Sequence, residues 1–373
     1  MKRSSFLALV TPIPLLPFVT PINVALVAPF SGPQQQAGEQ LANGARQAID
    51  DANQFRTALG KPFALRTFDD SNALASAILE AQFACSDQSI VAVIGHLSGK
   101  ITERVETTYR DARMPLIVPA SSYDGVTTQL MPNVFRLPTK DSTEGRLAAR
   151  LIASDYHAKK VAILTQDGDY GPNVAAGFAQ AAAQEKLDAR IVRFSYDKPD
   201  FAAAANQALQ NAPDVVYLAG VADDMGPILK ALRDAGFTGR YVASEGFFDA
   251  ATITRFGSYA EGLVASASMP PLHLAPAAEQ TESDFRTRYG ALTPLSAFAY
   301  AAAQIIIAAV GRGSPNRVAI AQTIANGSFD TLVGNFRFGY DGEPADPNLY
   351  FYTVRKGEWV YLKAAHPTSF VIK

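Results

Sequence analysis

A chain of 373 residues with a formal net charge of -2 exceeds what one hydrophobic core usually supports, so two domains are expected. No block of Lys and Arg stands out against that near-neutral balance, which excludes the field that draws in nucleic acid or an anionic membrane surface. The only cysteine, Cys85, rules out an intrachain disulfide; it falls beside Phe83 on a helical pattern, where a small buried side chain is expected rather than a reactive thiol.

Residues 1–21, MKRSSFLALVTPIPLLPFVTP, join a basic start to an apolar stretch, as an export signal does. Pro12, Pro14 and Pro17 interrupt that stretch, no A-x-A site precedes Ile22, and no early cysteine marks a lipoprotein. An exported chain and a frayed cytoplasmic N-terminus are both open readings. From Ile22, INVALVA reads as a strand, FSGPQQQ as a turn, and Leu41, Ala45, Ala48, Ile49 and Ala52 share one face of a helix from about Gly38 to Phe55. FALRTFD is a second strand and Asn72 to Cys85 a second helix. SIVAVIG, HLSGK and ITERVETTYRDA then pass from an apolar β-branched run, through a short polar loop, into an amphipathic helix. Backbone N–H groups at that helix start, together with the Ser98 side chain, suit an anion. Open α/β sheets bind ligands at such strand ends. PLIVPAS with a helix from Tyr123 to Gln129 makes a fourth unit. Four β–α units in succession imply a parallel sheet with helices on both faces.

After NVFRLPTKDS the pattern restarts. Asp141 and Glu144 have the spacing of a helix cap and its returning partner, and Leu147, Leu151 and Ile152 carry the helix to about Tyr156. KVAILT, a helix from Gly171 to Glu185, ARIVRFS, a helix from Phe201 to Leu209, DVVYLAG, a helix from Met225 to Ala235 and RYVAS then predict a second sheet of the same kind. GLVASAS and PPLHLAP lead to helices over about Ala277 to Tyr289, Leu295 to Val310 and Asn316 to Ala325. The stretch AFAYAAAQIIIAAV is shorter than the roughly 18 residues of a membrane span and reads as a buried helix. LYFYTVRKGEWVYL reads as two strands joined at Lys356-Gly357. Stretches near Pro138, Pro270 and Asp341 are candidate crossings between domains.

No catalytic or cofactor signature is present: there is no GxxxxGK[ST], no HExxH and no G-x-G-x-x-G after a strand. Neither enzyme activity, a cofactor nor a metal is expected. Asp167, Asp169 and Tyr170 in TQDGDYG lack the spacing and distal Glu of a calcium loop, which leaves a cleft-facing turn or a solvated loop. His96 either bonds a ligand or packs its own loop. Ser98, Ser121, Ser122, Tyr170 and Glu245 recur at strand ends where two sheets would open onto a shared cleft, a pattern that favours binding.

The stretches SGPQQQAGEQLANGARQAIDDAN, FDDSN, VIGHLSG, PLIVPASS, DGDYG, YLAGVADDMGPILKALRDAG and SEGFF resemble, in order and spacing, the motifs of the leucine/isoleucine/valine-binding proteins, type I periplasmic solute receptors of ABC importers. The resemblance runs from about Ile22 to Tyr340. It implies two Rossmann-like α/β lobes with parallel central sheets, joined by a three-crossover hinge that closes on a small-molecule ligand. The lobes would be residues 22–139 plus 270–342 and residues 140–269 plus 343–373, after an export segment over 1–21. It further implies a periplasmic location and an inner-membrane transporter as partner. Carried over by motif, the ligand's carboxylate would meet Gly99 and Ser122, its ammonium Ala120, Ser122 and Glu245, and the second lobe would contribute Tyr170 and Val221. Gly99 departs from the family's serine, with Ser98 adjacent. Ala37, Val221 and Ala297 replace aromatic residues, a change expected to widen the pocket, and Asn72 and Ser98 stand where the family has a disulfide. The expected ligand is an amino acid or related organic acid. Alternatives are a larger apolar molecule, such as an aromatic compound or a lipid such as a sterol, and a cytoplasmic ligand sensor on the same fold.

Overall fold

The computed structural model describes residues 20–54, 60–168, 170–272, 278–347 and 349–365. Most of the expected export segment, Phe55, Asp169 and the end of PPLHLAP lie outside them. The first half builds β1 (Ile22–Ala28), α1 (Gln35–Gln54), β2 (Phe63–Asp69), α2 (Leu74–Ser86), β3 (Ile90–Gly95), α3 (Gly99–Asp111), β4 (Leu116–Val118) and β5 (Val134–Arg136). The strands form one parallel sheet in the order β2-β1-β3-β4-β5. β1 and β3 are buried at every position, as near-continuous apolar runs are when helices cover both faces of a parallel sheet. The helix expected over Tyr123 to Gln129 is instead a single 3-10 turn, Asp124–Thr127. Pro119 and Pro132 bracket the segment, and Gly125 lets it lie close to α3, since a Cβ there would come within 3.0 Å of the Glu103 carboxylate.

The second half builds α4 (Asp141–Asp155), β6 (Lys160–Gln166), α5 (Tyr170–Gln184), β7 (Asp188–Phe194), α6 (Phe201–Leu209), β8 (Val215–Ala219), α7 (Ala222–Met225), α8 (Ile228–Asp234), β9 (Arg240–Ala243), α9 (Ala250–Phe256) and β10 (Val264–Ala267). The helix expected from Met225 to Ala235 begins instead at Ile228, after Gly226-Pro227, where proline supplies no N–H to continue a ladder from the short α7 before it. The chain then makes α10 (Ala278–Tyr289), α11 (Pro294–Arg312), α12 (Arg317–Asn326) and a small ribbon, β11 (Phe329–Thr331) with β12 (Gly334–Phe336). It ends in the hairpin β13 (Leu349–Arg355) and β14 (Glu358–Ala365), turned by Lys356 (φ 53°) and Gly357 (φ 74°), both left-handed as a two-residue hairpin loop of this kind requires. The second sheet therefore differs from the first. It has seven strands in the order β14-β13-β10-β9-β8-β6-β7, with β13 antiparallel to β10.

α11 belongs to the core of the first sheet, packed with α1, β1 and β12. It runs longer than expected, and at 19 residues it is apolar enough to cross a membrane, yet 72% of its apolar window is buried inside the fold. Gly44 makes its packing possible, because a Cβ there would sit 2.0 Å from the Ser296 carbonyl. Since α10 to β12 return to the first sheet, the described chain passes between the two layers three times: after β5, after β10 and after β12. Cys85 is buried in the first core with its thiol pushed up to about 11 by burial, the inert state expected of it.

Glu106 of α3 is fully buried, and among the described residues neither carboxyl oxygen has a hydrogen-bond partner. Burial, reinforced by the Glu103 charge, raises its pKa from 4.5 to about 8. Below pH 4.5 folded and unfolded chains both hold this proton. As pH rises from 4.5 toward 8 the unfolded chain releases it while the folded chain keeps it, so the folded state is progressively penalised, and above 8 both have released it and the penalty stays constant. Glu106→Gln should therefore raise the melting temperature relative to wild type more at pH 9 than at pH 5; an equal shift at both pH values would place the titration elsewhere.

Candidate functional site

The loops that follow the carboxyl ends of β3, β4, β6, β8 and β9 carry the candidate residues. In the first sheet, Ser98 caps α3, its hydroxyl 3.5 Å from the Ile101 amide, and so is committed to the helix. Gly99 follows at the first helical position, so close to the β4 loop that a Cβ would lie 2.2 Å from Ser121 Oγ and 2.5 Å from Tyr123 Cβ. That loop runs through half-buried Ala120, buried Ser121, whose Oγ accepts the Tyr123 amide at 3.2 Å, and half-buried Ser122. His96 is fully buried and packs its own loop: Nδ1 lies 2.7 Å from Asp70 Oδ2 and Nε2 2.9 Å from the Tyr109 hydroxyl.

In the second sheet, Tyr170 opens α5 and Val221 precedes α7, with Gly171 fitted against the Ala219 carbonyl and Gly246 against Gly220 and Val221. Ser244 joins the two loops, accepting from the Gly220 amide at 3.0 Å and donating to the Gly220 carbonyl at 2.9 Å. Around these lies a cavity of about 440 Å³ lined by Gln166, Asp167, Tyr170, Tyr196, Val221 and Asp224 among others. Glu245 stands in the next turn, half-buried, its carboxylate accepting from the Ser268 amide at 3.0 Å and the Ser268 hydroxyl at 2.7 Å. A second cavity of about 420 Å³, bordered by Arg113, Asn133 and Val318, lies at the opposite, amino end of β4 and β5 and holds no candidate residue.

The first turn of α4 touches both groups. The Asp141 amide donates to the Ser122 carbonyl at 2.9 Å, the Ser142 amide to Asp124 Oδ1 at 3.0 Å, and the Asp141 carboxyl bonds Ser122 and Asn173. Burial raises the Asp141 pKa to about 6 against the pull of those two bonds. Glu144, 2% exposed, turns the other way: Oε2 accepts from the Tyr170 hydroxyl at 2.8 Å, and Oε1 from the Glu245 amide and the Ser266 hydroxyl, both at 2.6 Å. Burial first, then the neighbouring Glu245 charge, pushes the Glu144 carboxyl upward, and burial does the same to Glu245.

The capping reading of Asp141 and Glu144 is thus corrected. Lys140 holds the cap position without a side-chain bond, Asp141 is the first helical residue, and Glu144 points inward. Gly145 and Gly177 explain why. A Cβ on either would lie within 2.3 Å of a carbonyl on the partner helix, so α4 and α5 meet closely and bring Glu144 against Tyr170. One signal did exist in the sequence, since Glu144 shares its helical face with Leu147, Ala148 and Leu151. Ser266 and Ser268 carried no comparable mark. Ala297, expected to widen the pocket, sits instead in the apolar core of the first sheet.

A profile described as periplasmic binding protein matches residues 21–358. The amino acid binding protein of Pseudomonas aeruginosa is 26% identical over 86% of this chain and 87% of its own length. The Leu/Ile/Val-binding protein of Escherichia coli K12 is 27% identical over 86% of this chain and 88% of its own. Among solved structures, the leucine binding protein LivK of Thermotoga maritima superposes with a TM-score of 0.79 at 23% identity, covering 93% of this chain and 99% of that one.

Gly99→Ser, which restores the residue the resemblance calls for, should cost about 1–3 kcal/mol of stability, because the new Cβ has no room beside Ser121 and Tyr123. Thermal or denaturant unfolding reads the loss. An unchanged midpoint would mean that the β4 loop gives way freely.

Proposed function

We propose that this chain, which belongs to the periplasmic binding protein family, captures an amino acid or related small organic acid between two lobes and delivers it to an inner-membrane transporter. Members of the family are solute-binding proteins and not enzymes. The observation that supports one site shared by the two sheets is the first turn of α4, which bonds the Ser122 loop of one sheet through Asp141 and both Tyr170 and the Glu245 turn of the other through Glu144. In our reading, hydroxyl and backbone N–H groups at Gly99, Ser121 and Ser122 receive the carboxylate end of the ligand, and the Ala120 carbonyl and Ser122 hydroxyl share its ammonium. Glu245 receives that ammonium too, with Tyr170 and Val221 on the facing wall.

The lobes in this reading are residues 22–139 plus 270–342 and 140–269 plus 343–373, and the three connecting passages act as a hinge. The working compartment is the periplasm, with the segment before Ile22 as the export signal. The names of the relatives in Pseudomonas aeruginosa and Escherichia coli support an amino-acid ligand. A second reading, a bulkier aromatic ligand, is favoured by the small side chain of Val221 on the wall of the 440 Å³ cavity.

Calorimetric titration with L-leucine and with benzoate separates the two. A charge-assisted bond from Glu245 to an ammonium is worth about 1.5–3 kcal/mol, so Glu245→Gln should weaken leucine binding roughly 10-fold to 150-fold. Benzoate affinity should hold or rise, because a carboxylate no longer has to be desolvated beside another. Leucine binding that is absent, or untouched by the substitution, would overturn the amino-acid reading. Closure has its own measurement: saturating ligand should lower the radius of gyration in solution scattering, and an unchanged curve would remove the hinge.

A further inference from the structure

Glu144 is a buried carboxyl group with three hydrogen-bond donors and, among the described residues, no counter-ion. The donors come from three separate elements: the Tyr170 hydroxyl at the start of α5, the Glu245 amide in the turn after β9, and the Ser266 hydroxyl in β10. No described Lys, Arg or His acts on it. The titratable groups that face it are Glu245, Tyr170 and, from β8, Tyr217, while Asp141 stands one turn earlier on its own helix and acts on Tyr170. Two of the three donors belong to residues placed on the ligand wall, and the third lies in the strand that leads into the second passage between the layers.

The geometry points to Glu144 as a positioning residue: from behind the cleft, its two carboxyl oxygens set the Tyr170 hydroxyl and the Glu245 turn. The inference rests on the reading that Tyr170 and Glu245 face the ligand. An acid does here what an amide cannot. Both of its oxygens accept when it is ionised, whereas in glutamine one of the two positions becomes an NH₂ that confronts a donor. Gain or loss of the Glu144 proton reverses the direction of at least one of these bonds, so the state of Glu144 is written into the environment of the Tyr170 phenol. Burial and the Glu245 charge move that titration upward from the ordinary carboxylate range. The Tyr170 phenol itself ionises well above its ordinary value and stays protonated meanwhile.

The test follows the ligand-free protein labelled with [ζ-13C]tyrosine, with the Tyr170 resonance identified by its loss in Tyr170→Phe. All labelled samples carry Asp141→Asn, because the Asp141 carboxyl also acts on Tyr170 and burial raises its pKa to about 6; in that background, the wild type for this test, the resonance should move in one step between pH 5 and 9. Glu144→Gln should abolish that step, and Glu245→Gln should leave one. A flat wild-type resonance overturns the inference, as does a step that survives Glu144→Gln or disappears with Glu245→Gln; the wild type and the Glu245 variant decide even if Glu144→Gln fails to fold. With L-leucine as probe, Glu144→Gln should weaken binding about 10-fold, the loss expected when a fixed hydrogen-bonding group is released. Leucine binding unchanged by Tyr170→Phe and Glu245→Gln, with the pH step present, overturns the ligand reading alone and upholds the hold of Glu144 on Tyr170.

Discussion

The buried ion pair between Arg136 and Glu343 ties the first half of the site to the passages between the layers. Arg136 is fully buried, and a guanidinium removed from water must recover its hydration from charge and acceptors. Every nitrogen of the group finds one. Nε lies 3.2 Å from each Glu343 oxygen, Nη1 donates to the Tyr123 carbonyl, and Nη2 donates to Thr127 Oγ1 at 2.9 Å and to Glu343. Thr127 also donates to Glu343, and Lys140 approaches it at 3.8 Å. Three stretches meet in this cluster: the end of β5, the turn beyond Ser122, and the passage between β12 and β13. Removing either charge would strand the other in the interior, a loss of about 3–5 kcal/mol in comparable buried pairs. The Ser122 loop is therefore anchored to two of the three passages, and a shift in one is felt by the others.

The second half of the site hangs on a different constraint, the close approach of α4 to α5. Glycine at positions 145 and 177 removes the side chains that would hold the helices apart, and the same device at Gly44 seats α11 on α1. Close packing fixes where α4 begins, and its first turn then supplies Asp141 to one sheet and Glu144 to the other. Position along the helix decides the partner: three residues separate the two carboxyl groups, nearly one turn, yet one meets Ser122 and the other Tyr170.

Most of the architecture was legible in the sequence because it is written in local patterns. The β-branched runs of β1, β3, β6 and β8, the helical faces of α1 and α3, and the Lys356-Gly357 turn all depend on neighbours within a few residues. Gly226-Pro227 was legible too, and was passed over because the apolar spacing on either side continues. The polar clusters were not legible. Arg136 and Glu343 are 207 positions apart, Glu144 and Ser266 are 122 apart, and nothing local marks either pairing. Glu144 misled because a serine, threonine or aspartate followed three residues later by glutamate fits a helix cap. The competing claim came from three donors that only the folded chain brings together. Gly99 shows the reverse case. Its departure from the resembling family looked like a lost ligand contact, whereas in the fold it leaves the room that Ser121 and Tyr123 occupy.

Two carboxyl groups so close together, with no described cation to separate them, invite the question of which one is free to meet a ligand. Hydrogen-bond capacity answers it. An ionised carboxylate offers about four lone-pair sites. Glu144 has three taken, by Tyr170, Glu245 and Ser266, and is 2% exposed, so no ligand atom can reach it without dismantling the wall. Glu245 has two taken among the described residues, both by Ser268, and is only half-buried. Its remaining sites are open to a donor brought in from the cleft. Such a donor also relieves the repulsion between the two groups if it is cationic, and adds to the desolvation of Glu245 if it is not. The pair therefore divides the work by saturation: the carboxyl with nearly all its acceptors filled holds the scaffold, and the one with acceptors to spare reads the ligand.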